Sequence, residues 1–212
     1  MRVSADQAMT LPKIAIYDDF LAKADHRAVW ELLKQPGWAY GAYSDGGADA
    51  HRYFYKHFAG YFDSGQEKRS ASGNEEDLKR SAPLLFNFWL ALKKGPMAGL
   101  ELARCYANGM PAGTEGGVHA DSNIDTHLTA IYYPHLDWHA SFGGETLLFN
   151  PSATDVIAAI YPKPNRLAVF AGTIPHVARP TSRRCADLRI TLMFKTMPAN
   201  EDLGGPDSKK IE

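Results

Sequence analysis

His119 and Asp121 stand two residues apart in "EGGVHADSNIDTHLTAIYY", just ahead of a run that reads as a β-strand. In extended backbone, side chains two apart point to one face, so both can aim at a single metal ion. A third ligand has to come from another strand. His176 in "AGTIPHVARP" is the candidate, because it directly follows the apolar stretch "RLAVF". Two imidazoles and one carboxylate make a facial triad, which leaves three cis positions of an octahedral Fe(II) open. A bidentate co-substrate and dioxygen need such adjacent positions. The same donors also suit a hydrolytic zinc centre with one open position. The plain alternative is a set of satisfied loop or core histidines. His26 and His51 are read in that way, and His127 as a strand residue with a packing or hydrogen-bonding role.

The elements that must position these side chains change character along the chain. "KIAIYDDF" alternates as a short strand, and "DHRAVWELLKQPG" follows with Val29, Leu32 and Leu33 on one helical face. The aromatic stretch "WAYGAYSDGGADAHRYFYKHFAGYF" precedes "DSGQEKRSASGNEED", which has loop or disorder composition. In "SAPLLFNFWLALKKG", Pro83 suits a first helical turn and Gly95 a stop, around a stripe of Leu84, Leu85, Phe88, Trp89 and Leu92. From Leu100 the texture is β: "ELARCYA", "HLTAIYY", "ETLLFN", "DVIAAIYP", "RLAVFAG" and "LRITLMFKT". Helices followed by many short strands predict an α+β fold, a jelly-roll core with N-terminal helices packed on one face. The expected organisation is one domain over 1–212, with a helical part over about 11–99 and the core over about 100–198.

Composition sets the outer bounds. A chain of 212 residues can bury a core without disulfides, and Cys105 and Cys185 suggest neither a disulfide framework nor a zinc knuckle. A formal charge of −1 gives no electrostatic reason to expect nucleic acid or a membrane as partner. No segment reads as a signal peptide or a bilayer span, so a reduced, cytoplasmic setting is expected. The first ten residues and the tail "NEDLGGPDSKKIE" are polar and aperiodic, and mobility is expected there.

The segment from Tyr106 to Lys195 resembles the iron(II)- and 2-oxoglutarate-dependent dioxygenases, in particular their prolyl-4-hydroxylase-like branch. "YANGMPAGTEGGVHAD" matches a tyrosine, a Gly-rich loop and His-x-Asp. "LTAIYY" and "FGGETLLF" match the strand and the "GG" hairpin that follow. "RLAVFAGTIPHVARP" and "DLRITLMFK" match the second histidine and the last strand. The resemblance implies a double-stranded β-helix, the jelly-roll. It implies that His119, Asp121 and His176 hold iron and that Arg189 pairs with the distal carboxylate of 2-oxoglutarate. Tyr133 would donate its hydroxyl to that carboxylate, Tyr106 would line the co-substrate pocket, and Thr129 shares a strand face with Tyr133. The interval from His176 to Arg189 is longer than is usual in this branch, so Arg179, Arg183 and Arg184 compete for the anchor. Arg189 is preferred because it opens "RITLMF", where alternation points it inward with Thr191 and Met193.

The activity implied is decarboxylation of 2-oxoglutarate to succinate, with dioxygen hydroxylating or desaturating a C–H bond. The substrate expected is a small molecule, such as an amino acid or a natural-product intermediate. The alternative substrate is a prolyl or other residue of a protein. A zinc hydrolase would have no use for the Arg189–Tyr133 anchor, and an intact triad argues against a non-catalytic jelly-roll binding protein. Selectivity is expected in two aromatic segments at the pocket mouth. One is "PHLDWHASF", with Trp138 and His139. The other is "AHRYFYKHFAG", with Tyr55 and His57, folding over as a lid.

Overall fold

The computed structural model describes residues 14–44, 51–62, 65–68 and 70–199. The first ten residues and the tail from Asn200 lie outside them. The chain runs through β1 (Ile14–Tyr17), α1 (Lys23–Lys34), β2 (Ala39–Ala42), β3 (Tyr53–Ala59), α2 (Asn74–Ser81), α3 (Pro83–Lys94), β4 (Leu100–Met110) and β5 (Leu128–Tyr133). A 3-10 turn over Ala140–Phe142 leads to β6 (Thr146–Phe149), β7 (Val156–Ile160), β8 (Arg166–Ala171), β9 (His176–Ala178) and β10 (Arg189–Pro198). Two antiparallel sheets result. The larger has seven strands in the order β1-β8-β5-β10-β4-β3-β2, and the smaller has three in the order β7-β6-β9. This is the jelly-roll, with the helices on the outer face of the larger sheet. Among the described residues, no helix is long and apolar enough to cross a membrane.

Period-two alternation sorts the large sheet into two faces. Ile190, Leu192 and Phe194 of β10, Ala130 and Tyr132 of β5, and Leu167 and Val169 of β8 share one core with Val29 and Leu33 of α1, Leu78 of α2, and Leu85, Phe88, Trp89 and Leu92 of α3. The intervening residues face the small sheet. Ile131, Tyr133, Ala168, Phe170 and Met193 pack there with Leu148 and Ile160. Arg189, Thr191 and Lys195 line the space between the sheets with Arg104 and Tyr106. Helix packing on the outer face therefore fixes which side chains of β10 face the cavity. A one-residue slip would bury Arg189 and Lys195 against α3.

Two expectations for the N-terminal half need correction. Residues 51–60 form no lid, because β3, paired with β2, extends the large sheet, with Tyr55 opposite Asn108 and His57 opposite Tyr106. The polar insert is not simply loop. Its last four residues open α2, with Glu75, Glu76 and Asp77 in the first turn and Lys79 and Arg80 in the last, as the helix dipole favours. Ion pairs from Lys68 to Asp77 and from Lys93 to Glu75 (2.7 Å) tie it down. The buried amide of Asn74 donates to the carbonyls of Ser70, Leu102 and Ala103. Alternation and amphipathic period were both obscured there by the density of charge.

Phe88 joins helix layer to sheet, with its ring 4.8 Å from Tyr132, 5.1 Å from Phe194 and 5.5 Å from Phe20. Phe88→Ala is expected to cost about 3–5 kcal/mol, read as a lowered urea midpoint with unchanged m. A loss below about 1 kcal/mol would mean that α3 is not the keystone of this layer.

Candidate metal and co-substrate site

The triad is assembled by backbone before side chains act. His119 and His176 exchange a reciprocal pair of hydrogen bonds, His119 N–H to His176 O at 3.1 Å and the reverse at 2.8 Å. Asp121 is pinned by its own N–H to Gly172 O at 2.8 Å. These ties bring the imidazole centroids to 4.5 Å. Each ring then donates Nδ1–H to the carbonyl two residues earlier, Gly117 O for His119 and Ile174 O for His176, both at 2.9 Å. With Nδ1 so engaged, each Nε2 carries its lone pair into the space shared with Asp121. This is the outer-shell arrangement that metal-ligating histidines use.

The donor atoms of His119, Asp121 and His176 all lie within 4.8 Å of one another. His119 Nε2 is 3.5 Å from Asp121 Oδ1, and His176 Nε2 is 3.4 Å from Asp121 Oδ2. Those spans are long for hydrogen bonds, and close to the roughly 3 Å between neighbouring ligands on one ion with bonds of about 2.1 Å. Burial holds His176 down to about 4, so its imidazole is neutral and free to coordinate at neutral pH. Burial works against the Asp121 carboxylate, but the Lys195 ammonium beside it leads the effects that hold it well below the usual carboxylate range and keep it ionised. The set fits a divalent ion.

Asp121 has two further partners. Thr129 donates its hydroxyl to Asp121 Oδ2 at 2.6 Å, and the Lys195 ammonium contacts the same oxygen. Thr129 thus serves the acid of the triad rather than the co-substrate end. Lys195 is buried, and burial pulls it down to about 8. The sequence reading missed it, although the alternation that orients Arg189 inward also orients residues 191, 193 and 195.

Arg189 lies at the other end of the same cavity, almost fully buried. Its Nε donates to Gly144 O at 2.6 Å and its Nη2 to Thr146 Oγ1 at 2.9 Å, and its guanidinium sits 5.9 Å from the Tyr133 ring. Gly144 has φ 81°, and a Cβ there would stand 2.8 Å from Thr181 Cγ2 and 3.1 Å from Arg189 Cδ. The second glycine of the "GG" hairpin therefore makes room for the arginine. Among the described residues, no carboxylate is seen in an ion pair or hydrogen bond with Arg189, and the charge of Glu145 acts on it without contact. Its competitors are exposed, and Arg179 pairs with Glu115 at 3.3 Å.

Tyr133 points inward as expected, but its hydroxyl ends on Thr146 Oγ1 at 2.8 Å and does not line the cavity. Thr146 does line it. Its oxygen accepts from both Tyr133 and Arg189, which leaves its own proton to donate. The signal in the sequence was its place directly after "GGE", as the first residue of β6. Tyr106 lines the cavity, where burial, with Asp121 and Tyr61, keeps its phenol protonated well above the usual range.

The cavity, about 1010 Å³, opens past a wall of Tyr53, Tyr55 and His57 from β3, with Tyr61 beside them. The His57 and Tyr61 rings stack 3.4 Å apart at 6°. Trp138 and His139 do not line this cavity. His139 is exposed and accepts from Ser141 N–H at 3.1 Å, capping the 3-10 turn. Trp138 packs 4.5 Å from His135, whose other side meets Trp30 at 4.7 Å. Between these indoles, His135 Nε2 accepts from Ile190 N–H at 3.0 Å, beside Arg189. Trp138 reaches the site through that chain of contacts and through its indole N–H, which donates to Gly143 O at 3.0 Å beside Gly144.

No protein-family model matches the chain, and no curated protein does. Solved structures do. A prolyl-4-hydroxylase from Pseudomonas putida is 18% identical with a TM-score of 0.59, over 89% of this chain and 94% of that one. An oxidoreductase of the 2OG-Fe(II) oxygenase family from Burkholderia pseudomallei is 16% identical with a TM-score of 0.59, over 86% and 84%. HygX from Streptomyces hygroscopicus, solved with nickel and 2-oxoglutarate bound, is 9% identical with a TM-score of 0.60, over 89% and 84%. Likeness at such identities establishes the shared fold.

Burial, with Arg189 and His26 adding repulsion, lowers His135 to about 3 from an ordinary 6.5. The unfolded chain therefore takes up a proton below pH 6.5 that the folded chain refuses. Stability from this residue is complete above pH 6.5 and declines as pH falls towards 3, by up to roughly 1.4 kcal/mol per pH unit. In His135→Gln, Oε1 can still accept from Ile190 without titrating. Urea midpoints measured from pH 7 to 4 should fall less steeply for this variant, and parallel curves would contradict the assignment.

Proposed function

We propose that this protein is an Fe(II)- and 2-oxoglutarate-dependent dioxygenase that hydroxylates a C–H bond of a small-molecule substrate. The observation that carries the reading is a buried guanidinium with no carboxylate partner among the described residues, opening on the cavity that holds His119, Asp121 and His176. A buried cation without an anion is costly. A carboxylate ligand would remove that cost, and a planar guanidinium suits it in geometry as well as charge. The zinc-hydrolase reading leaves Arg189 without a task.

Iron(II), held by His119, Asp121 and His176, would supply the redox chemistry with dioxygen that couples 2-oxoglutarate decarboxylation to C–H oxidation. The chain's own contribution is positional. Nδ1–H bonds to Gly117 O and Ile174 O keep both Nε2 atoms as donors. Arg189 and the free proton of Thr146 would receive the distal carboxylate, and Ile131 and Met193 give the cavity an apolar lining between the two ends. The wall of Tyr55, His57 and Tyr106 leaves a partly apolar chamber with a few polar contacts, suited to a small molecule.

The test is aerobic turnover with Fe(II) and 2-oxoglutarate, following succinate, with a substrate screen read by mass as gain of one oxygen. Arg189→Met should weaken 2-oxoglutarate binding by roughly 30-fold or more, while Arg184→Met should leave it unchanged. His176→Ala should lose both tight metal binding and turnover. Full activity in His176→Ala, or equal effects of the two arginine changes, would overturn the assignment.

A further inference from the structure

Lys195 touches the acid of the triad, yet neither metal nor co-substrate binding as proposed uses it. Register sets it opposite Thr129 on one neighbouring strand and Arg104 on the other. Arg104 is engaged by Glu67, which leaves Asp121 as the carboxylate within reach of the ammonium. Lys195 Nζ also donates to Thr129 Oγ1 at 3.2 Å, and Thr129 in turn donates to Asp121 Oδ2. Two donors thus occupy Oδ2, and Oδ1 is the oxygen left for an ion. The lysine side chain is only 6% exposed, so solvent does little to weaken its field.

The charge balance follows. Asp121 is the one carboxylate among the three donors, and the Lys195 ammonium lies against it and offsets its charge. A dication entering this set gains no net neutralisation from the protein, and Arg189 adds a further positive charge at the far end of the cavity. Only an anionic ligand in the same cavity can restore the balance.

We propose that Lys195 is a positioning residue that enlarges the coupling between metal binding and 2-oxoglutarate binding beyond what chelation alone gives. By occupying Asp121 Oδ2 and neutralising the carboxylate, it keeps Asp121 a one-oxygen ligand and weakens the hold on the metal alone. The dianionic co-substrate then restores that hold. Coupling of this kind is reciprocal, so metal must strengthen co-substrate binding by the same factor. The inference rests on the iron and 2-oxoglutarate reading given above.

The experiment is an equilibrium titration with Mn(II), with and without 2-oxoglutarate, so that it needs no turnover. The unsubstituted protein should bind Mn(II) at least roughly tenfold more tightly when 2-oxoglutarate is present. Lys195→Met should bind Mn(II) more tightly than the unsubstituted protein when 2-oxoglutarate is absent, and the gain from 2-oxoglutarate should shrink by at least roughly threefold. Lys195→Arg keeps the charge and should retain the gain. Thr129→Val removes the other donor while leaving the ammonium, and should not tighten Mn(II) binding. Lys195→Gln serves as a second neutral variant. An unchanged or weaker affinity in both neutral variants, with the gain intact, overturns the inference alone. So does loss of native circular dichroism in both while Lys195→Arg folds, because the lysine would then be structural. Failure of the unsubstituted protein to bind Mn(II), or binding that survives His176→Ala, overturns the reading of the site itself.

Discussion

Strand β10 has to meet opposite demands on its two faces, and the rest of the structure depends on its meeting both. Outward, Ile190, Leu192 and Phe194 bury against the helices. Inward, Arg189, Thr191, Met193 and Lys195 line the cavity. The apolar face fixes the register, and the register places two cations at opposite ends of one chamber. Strands β4 and β5 flank β10 in the same sense, so Tyr106, Arg104 and Thr129 arrive on the inner face without any separate device. The helix layer, which packs on the opposite face of the large sheet, is therefore what orients the site.

The inner face is an unusual place for two cations to be buried. Lys195 is matched by Asp121, whereas Arg189 is held by neutral acceptors, the Gly144 carbonyl and the Thr146 hydroxyl. Neutral dipoles orient a guanidinium but do not neutralise it. A carboxylate would neutralise that end, and the three donor side chains offer ligands to a divalent ion. A molecule carrying one carboxylate to Arg189 and a second chelating group to the metal would meet both needs at once.

Much of this was legible in the sequence because it depends on short-range period. His-x-Asp, the apolar strand before His176, and the alternation that turns Arg189 inward all follow from a repeat of two. Lys195 followed from the same repeat, but nothing local marks an inward lysine as different from a solvated one. What period does not give is depth and direction across strands. Tyr133 faces inward as expected, yet Thr146 from the opposite sheet intercepts its hydroxyl. Trp138 and His139 lie in an aromatic loop whose composition suited a pocket mouth, and the indole instead braces His135. Tyr55 and His57 do line the cavity, from a sheet strand rather than a lid, because the pairing partner of β3 lies some fifty residues further on, in β4. Helix α2 was hidden by its charges, since Leu78 and Asn74 alone carry its buried face.

The central claim is that one cavity holds a divalent ion on His119, Asp121 and His176 and a carboxylate on Arg189. Crystals grown with Mn(II) and 2-oxoglutarate, with data collected for anomalous scattering from manganese, test it most directly. The account predicts an anomalous peak within bonding distance of both Nε2 atoms and of Asp121 Oδ1, with a carboxylate seated against Arg189 and Thr146. A peak elsewhere, or a co-substrate bound with Arg189 left facing only Gly144 and Thr146, would contradict it.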